Sequence, residues 1–349
     1  MCLLILASVL VSLVSYSPVY ESASVLIMDA ETGLVLYETE GFARRYPASI
    51  TKVMTTLLVL EHVEDLDEYV LFSAHAINIP WYASRLDIAV GERLTVRYAL
   101  YANMLRSCNI TARALAEHVS GTVPAFVNLM NRRAEELGAY NTRFVNPCGL
   151  PGDGQFVTAY DVALIMSAAV MFPIFNEVIA TPEFKIPPTE LNPDGWELRN
   201  TNRMIRPDDP EFNEYVIGGK TGFTNAAGHT LVSYVRTGEL YFIITVLNAP
   251  YRRYISSDTA ALINLLHFMI ESGEIGPALD EEPGHYPEIY PEPEIYKPYI
   301  YDYYPAEKNA GSPGSGEISD MEAAAVSAMV LGFVFLSLLF IRLFVRKKS

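Results

Sequence analysis

Residues Tyr46–Glu61 read YPASITKVMTTLLVLE, a proline-led turn that sets Ser49 three positions ahead of Lys52 and carries no further charge until Glu61. Three positions are close to one helical turn, so the spacing predicts that the Lys52 amine lies within hydrogen-bonding reach of the Ser49 hydroxyl. The segment "ITKVMTTLLVLEHV" is apolar nearly all round, which predicts a central buried helix rather than an amphipathic surface one. A serine hydroxyl is a poor nucleophile until a base takes its proton, and a lysine serves only if burial and neighbouring cations depress its pKa. The apolar helix supplies the burial.

Ahead of this stretch, "ASVLIMDAETGLVLYE" alternates apolar and polar residues on both sides of "DAETG" and predicts a β-hairpin with Gly33 in the turn. After it, "VRYALYANMLRSCNITARALAEHVSG" and "TVPAFVNLMNRRAEELGA" predict a long helical region, the second segment stopped by Gly138. From about Tyr215, "YVIGGKTGFT", "HTLVSYVR" and "LYFIITVLNAP" read as three adjacent strands with Thr237-Gly238 as a hairpin turn. "SSDTAALINLLHFMIESG" gives a last helix, with Ser256 or Ser257 as its expected cap. These elements predict an α/β (α+β) fold: a mostly antiparallel sheet from the hairpin and the late strands, covered by helices, with a helical subdomain inserted between.

The 349 residues, half of them hydrophobic, are enough to bury a substantial core. A formal net charge of −16 argues against a phosphate-binding surface, so nucleic acid is not an expected partner. Three cysteines, Cys2, Cys108 and Cys148, are too few for a disulfide scaffold and leave a Cys108–Cys148 bridge open. The histidines have no paired spacing of the zinc-peptidase kind, and no metal or cofactor is expected.

The two ends predict a location. Residues 1–21 begin with an uncharged run containing "LLILASVLVSLV", which reads as a signal peptide or signal-like segment. Residues 274–320 hold eleven acidic residues against two lysines, interleaved with proline and tyrosine, and read as an extended tether. Residues 321–345 are expected to form one transmembrane helix. The basic tail at 346–349, together with Arg342, then stays in the cytoplasm by the positive-inside rule. The unit 22–273 is therefore expected on the outer side of the membrane.

Two further signals follow Ser49-Ile50-Thr51-Lys52 in order: Ser107-Cys108-Asn109 and Lys220-Thr221-Gly222. Together they resemble the three motifs of the penicillin-interacting serine enzymes, the DD-peptidases and class A β-lactamases. "SCNITARALAEHVSG", "NTRFVNPCGLPGDGQFVTAYDVALI" and "GGKTGFTNAAGHTLV" narrow the resemblance to the low-molecular-mass D-alanyl-D-alanine carboxypeptidases, peptidase S11-like, over roughly residues 22–272.

The resemblance implies a β-lactamase/DD-peptidase-like fold with the active site in a cleft. It implies Ser49 as nucleophile toward the terminal D-Ala-D-Ala of a peptidoglycan stem peptide, Lys52 as general base and Ser107 as proton relay. Asn109 would hold the acyl-side amide, and Lys220 and Thr221 the terminal carboxylate. The N–H groups of Ser49 and Phe223 would stabilise the oxyanion, with Gly222 allowing close approach of the substrate. β-Lactams are expected as covalent inhibitors.

Departures from the family pattern are Ile110 after Asn109, Cys108 beside the relay, Gln155 where a histidine is frequent, and an uncertain alignment of Arg252 or Arg253 with the arginine near the last helix. Ser107 and Asn109 also suit caps of the helix "ITARALAEHV". A β-lactamase needs a second general base, and the region after Asn141 offers Asp153 but no glutamate. A DD-endopeptidase of the same superfamily and a non-catalytic β-lactam or peptidoglycan sensor are the remaining alternatives.

Overall fold

The computed structural model describes residues 18–275. Most of the expected leader, the tether beyond Ile275, the expected membrane span and the basic tail lie outside the described residues. Among the described residues no single helix is long and apolar enough to cross a membrane.

The chain enters as the hairpin β1 (Ser24–Asp29) and β2 (Val35–Thr39), turned at Gly33 with φ +73°. A 3-10 turn, Ala48–Thr51, leads into α1 (Lys52–His62). The insert continues through β3 (Tyr69–Leu71), α2 (Ala74–Ile77), β4 (Arg93–Thr95), α3 (Val96–Leu105), α4 (Asn109–Ser120) and α5 (Val123–Glu136). It ends with α6 (Ala159–Ala169), α7 (Pro173–Ala180) and the short pair β5 (Glu183–Ile186) and β6 (Trp196–Arg199). Then come β7 (Val216–Thr224), β8 (Gly228–Thr237), β9 (Leu240–Ala249) and α8 (Arg252–Glu271).

The main sheet has the order β2-β1-β9-β8-β7, with every pairing antiparallel, so the first hairpin closes against the last strand and β7 is left at an edge. β1 is not the alternating strand expected from its sequence. Val25, Leu26, Ile27 and Met28 are all fully buried, because the sheet is covered on both faces. Val25 and Ile27 join Leu231, Val235, Phe242 and Ile244 against α8, while Leu26 and Met28 join the larger core of the helical insert.

Several local expectations shift. The helical stretch after Val96 is two helices, broken where Ser107 takes φ +55°. The β8–β9 turn is Gly238-Glu239, one residue later than expected, with Gly238 at φ +63°. Neither Ser256 nor Ser257 caps α8, which begins four residues ahead of Ser256, at Arg252. Instead the Ser256 hydroxyl donates to Glu211 at 2.6 Å. The two short sheets inside the insert, β3–β4 and β5–β6, have three- and four-residue strands too brief to show a period. At the entry, Ser22 N and Oγ donate to Asp258 and Tyr20 Oη donates to Thr39, so the folded unit includes Tyr20, ahead of the boundary expected at Ser22.

Candidate active site

The opening stretch folds as its spacing predicts. Lys52 Nζ donates to Ser49 Oγ at 3.1 Å, to Asn109 Oδ1 at 2.7 Å and to the Cys148 carbonyl at 2.7 Å. Lys52 is the first residue of α1 and fully buried, so its ammonium has exchanged water for three acceptors. Burial lowers its pKa to about 8, against the opposing influence of the Cys148 and Cys108 thiols. An appreciable share of this amine is therefore the free base at neutral pH. Ser49 sits in the 3-10 turn, immediately after Ala48, whose φ of +49° is rare for a residue with a Cβ. That backbone is held from two sides. A Cβ built on Gly149 would lie 1.7 Å from the Ala48 carbonyl oxygen, and the Thr230 hydroxyl donates to the Pro47 carbonyl at 3.2 Å. Strain of this kind persists only where the surroundings over-determine it.

The second motif sits at the break between α3 and α4. Asn109 opens α4 but does not cap it: the N-cap is Cys108, with no side-chain cap bond, so the capping role expected for Ser107 or Asn109 is absent. Asn109 accepts from Lys52 through Oδ1 and donates Nδ2 to the Ser84 carbonyl at 3.1 Å, which leaves its second amide hydrogen for a ligand. The Ser107 hydroxyl is buried without a hydrogen-bond partner among the described residues, and its backbone is in the left-handed region. A buried orphan hydroxyl on a strained residue marks a group waiting for a partner.

The third motif lies on the edge strand β7. Lys220 is buried and donates to the Thr221 carbonyl at 2.8 Å. Burial first and the Lys52 charge second push its pKa well below the ordinary lysine value. Lys220 does not in turn lower Lys52, whose shift comes from burial. Thr221 donates its hydroxyl to Thr201 Oγ1 at 2.7 Å. Gly222 has a packing reason as well. A Cβ there would meet Thr230 Oγ1 at 2.5 Å, Ser49 N at 2.8 Å and Ala48 Cβ at 3.0 Å, so the glycine lets the strand touch the Ser49 turn. Phe223 follows it on the strand. The Phe223 ring is exposed and stacks on His229 at 4.3 Å, and burial and then the Arg252 charge lower His229 to about 4, so it is neutral in this contact.

Of the sequence-predicted residues, Ser49, Lys52 and Asn109 are joined by hydrogen bonds, Gly222 lies against Ser49 and Lys220 feels the Lys52 charge, while Ser107, Thr221 and Phe223 neighbour them along the chain. Sequence reasoning missed Ser84 and Thr201, which lie on irregular chain with no motif. It also missed the supports of the Cys148 carbonyl. Asn146 Oδ1 accepts from Cys148 N at 3.2 Å and Gly149 N at 2.7 Å. Buried Gln155 accepts from Val145 N at 3.2 Å and donates to the Leu150 carbonyl at 3.1 Å. The Asn-Pro and Gly of "NPCGL" are the turn signal that could have located this loop. Cys108 and Cys148 are both free and buried. Of the two candidate arginines, Arg252 pairs with Glu211, while Arg253 lies over the Tyr251 and Tyr254 rings. Asp153 is exposed.

The arrangement suits acyl transfer: a hydroxyl beside a depressed amine, an orphan hydroxyl two residues ahead of the asparagine that accepts from that amine, and an edge strand carrying a buried lysine and a threonine hydroxyl. Comparisons with known proteins agree. D-alanyl-D-alanine carboxypeptidase DacF of Bacillus subtilis is 33% identical over 234 residues, 66% of this chain and 58% of that one. A D-alanyl-D-alanine endopeptidase of Pseudomonas aeruginosa is 35% identical over 216 residues, 60% of this chain and 66% of that one. The matches thus span less than two thirds of these relatives' own lengths. The crystal structure of the Streptomyces K15 DD-transpeptidase superposes with a TM-score of 0.67 at 28% identity, covering 71% of this chain and 98% of that one. The family described as Peptidase_S11, D-alanyl-D-alanine carboxypeptidase, matches residues 13–251, and the chain belongs to that family.

Proposed function

We propose that the chain is a serine D-alanyl-D-alanine carboxypeptidase that removes the terminal D-alanine of a peptidoglycan stem peptide through an ester on Ser49. The observation that carries this reading is the 3.1 Å contact between Ser49 Oγ and an amine that burial lowers to about 8. The free amine of Lys52 takes the Ser49 proton as Oγ bonds to the penultimate D-alanine carbonyl carbon. The oxyanion is held by the N–H groups of Ser49 and Phe223. As the C–N bond breaks, Ser107 passes a proton to the departing amine, and water later hydrolyses the ester. The free Nδ2 hydrogen of Asn109 holds the acyl-side amide. A carboxylate arriving beside Lys220 and Thr221 restores the ammonium form that burial alone disfavours.

The same ester forms with β-lactams, and with no second carboxylate assigned to the site its hydrolysis is slow. The uncharged stretch within 321–345, followed by arginine and lysine, supports a single-pass anchor in a bacterial cell membrane with this domain outside. The test is D-alanine release from diacetyl-Lys-D-Ala-D-Ala by wild type and Ser49→Ala, with mass spectrometry after penicillin. The expected outcome is a loss of roughly three orders of magnitude or more in the variant and an adduct on Ser49 in wild type. Neither release nor adduct from wild type would end the proposal. A DD-endopeptidase is the second reading, favoured by the relative that carries that name. Cleavage of a cross-linked muropeptide faster than of its uncross-linked pentapeptide would select it.

A further inference from the structure

Where β7 ends, the chain turns through residues 225–227 into β8, and beside this turn lies a cavity of about 150 Å³. Its lining includes Arg44, Arg45, Tyr46, Phe156, Ala226 and Asn248. None of these residues has a part in the acyl-transfer steps. Tyr46 is three residues ahead of the nucleophile and Ala226 is four after Gly222, so the cavity is lined by the chain that continues from both.

The two arginines differ in how far they are committed. Arg45 donates to Ser24 Oγ at 2.9 Å and faces Glu40 at 3.9 Å. Arg44 lies over the Phe156 ring at 4.2 Å and donates one Nη2 hydrogen to the neutral Asn141 side chain at 2.9 Å. Its Nε is buried with no hydrogen-bond partner, and no carboxylate stands within ion-pair distance of it among the described residues. Asp161 is the acidic group that feels its field, and burial lifts that carboxyl to about 7, so its compensation of Arg44 is partial near neutrality. A guanidinium that lines a cavity without a carboxylate partner fits an anionic oxygen there.

The direction of a bound peptide identifies which oxygen. In the proposed reading, on which this inference rests, the terminal carboxylate meets Lys220 and Thr221 while the scissile carbonyl meets the Phe223 N–H. The peptide therefore runs antiparallel to β7, with its N-terminal part passing Thr224 toward Ala226. An extended chain advances about 3.3 Å per residue, so the residue before the penultimate D-alanine comes level with Thr224, the last residue of β7, and a long side chain on it extends toward the turn. We propose that the Arg44 cavity is a subsite for a carboxylate on the side chain of that third residue from the peptide's C-terminus.

The test compares acetyl-X-D-Ala-D-Ala peptides in which X is L-2-aminopimelate, whose side chain ends in a carboxylate, or its isosteric ω-amide. D-alanine release is measured for the full chain, and the quantity read is the acid-to-amide ratio of kcat/KM. Wild type is expected to prefer the acid by roughly tenfold, the size of one charge-assisted contact. Arg44→Gln is expected to bring the ratio near one, and Arg44→Lys, which keeps the charge without the planar fork, to fall between. A wild-type ratio of one or below overturns the subsite and needs no variant to fold. A preference that survives in folded Arg44→Gln also overturns it. Release from neither peptide would instead overturn the carboxypeptidase reading, and the subsite with it.

Discussion

If Lys52 is the base, acylation must follow its titration. A lysine in water titrates near 10.5, whereas burial brings Lys52 to about 8. At pH 7 the free-base share is then about one part in ten, against roughly three in ten thousand for an exposed lysine, a gain of about 300-fold. The assay is the second-order rate of Ser49 acylation by a fluorescent penicillin between pH 5.5 and 9.5. The logarithm of the rate is expected to climb by about one per pH unit up to about 8 and then level off. Lys52→Arg, which keeps the charge but cannot release its proton near neutrality, is expected to lose at least three orders of magnitude. The sign for stability is the reverse of an ordinary ion pair. The folded-state pKa is the lower one, so burying Lys52 costs most below about pH 8, and the cost is relieved as pH rises toward 10.5. A flat acylation profile between pH 6 and 9, or a Lys52→Arg variant keeping a tenth of the rate, would refute the assignment.

Two other substitutions test the frame around the nucleophile. Gly222→Ala places a methyl 2.8 Å from Ser49 N and 2.5 Å from Thr230 Oγ1, so β7 and the Ser49 turn must separate. Acylation is expected to fall by about two to three orders of magnitude, with a loss of stability of about 1–3 kcal/mol by thermal melting. A variant with wild-type acylation would show that the strand and the nucleophile need not touch. Thr201→Val removes the acceptor of the Thr221 hydroxyl at 2.7 Å. KM for a carboxylate-terminated peptide is expected to rise severalfold with little change in kcat, and Thr201→Ser to restore it. Equal effects on the peptide and on its C-terminal amide would exclude a role in holding the carboxylate.

The three motifs were legible because each is a local arrangement. Ser49 and Lys52 share a helical face whatever surrounds them, and their 3.1 Å contact follows from a three-residue spacing. The hairpin, the three late strands and the stop at Gly138 were likewise written in turn residues and hydrophobic runs. β1 was misread as alternating because burial on both faces is a property of the layers around a strand. The early α8 start at Arg252 was missed for a similar reason: Arg252 is tied to Glu211, forty-one positions away, and not to a serine cap.

By itself, then, the sequence determined the three motifs, their order and the kinds of element that carry them. Only the tertiary structure decided how they work together. The fold seals Lys52 from water, gives it the carbonyl of Cys148 ninety-six residues on, presses Gly222 against the Ser49 turn, and leaves Arg44 open beside the end of β7. Those features depend on desolvation and on contacts between distant segments. Neither has a signature in residue spacing, because both arise only when the chain has excluded water between surfaces that are far apart along it.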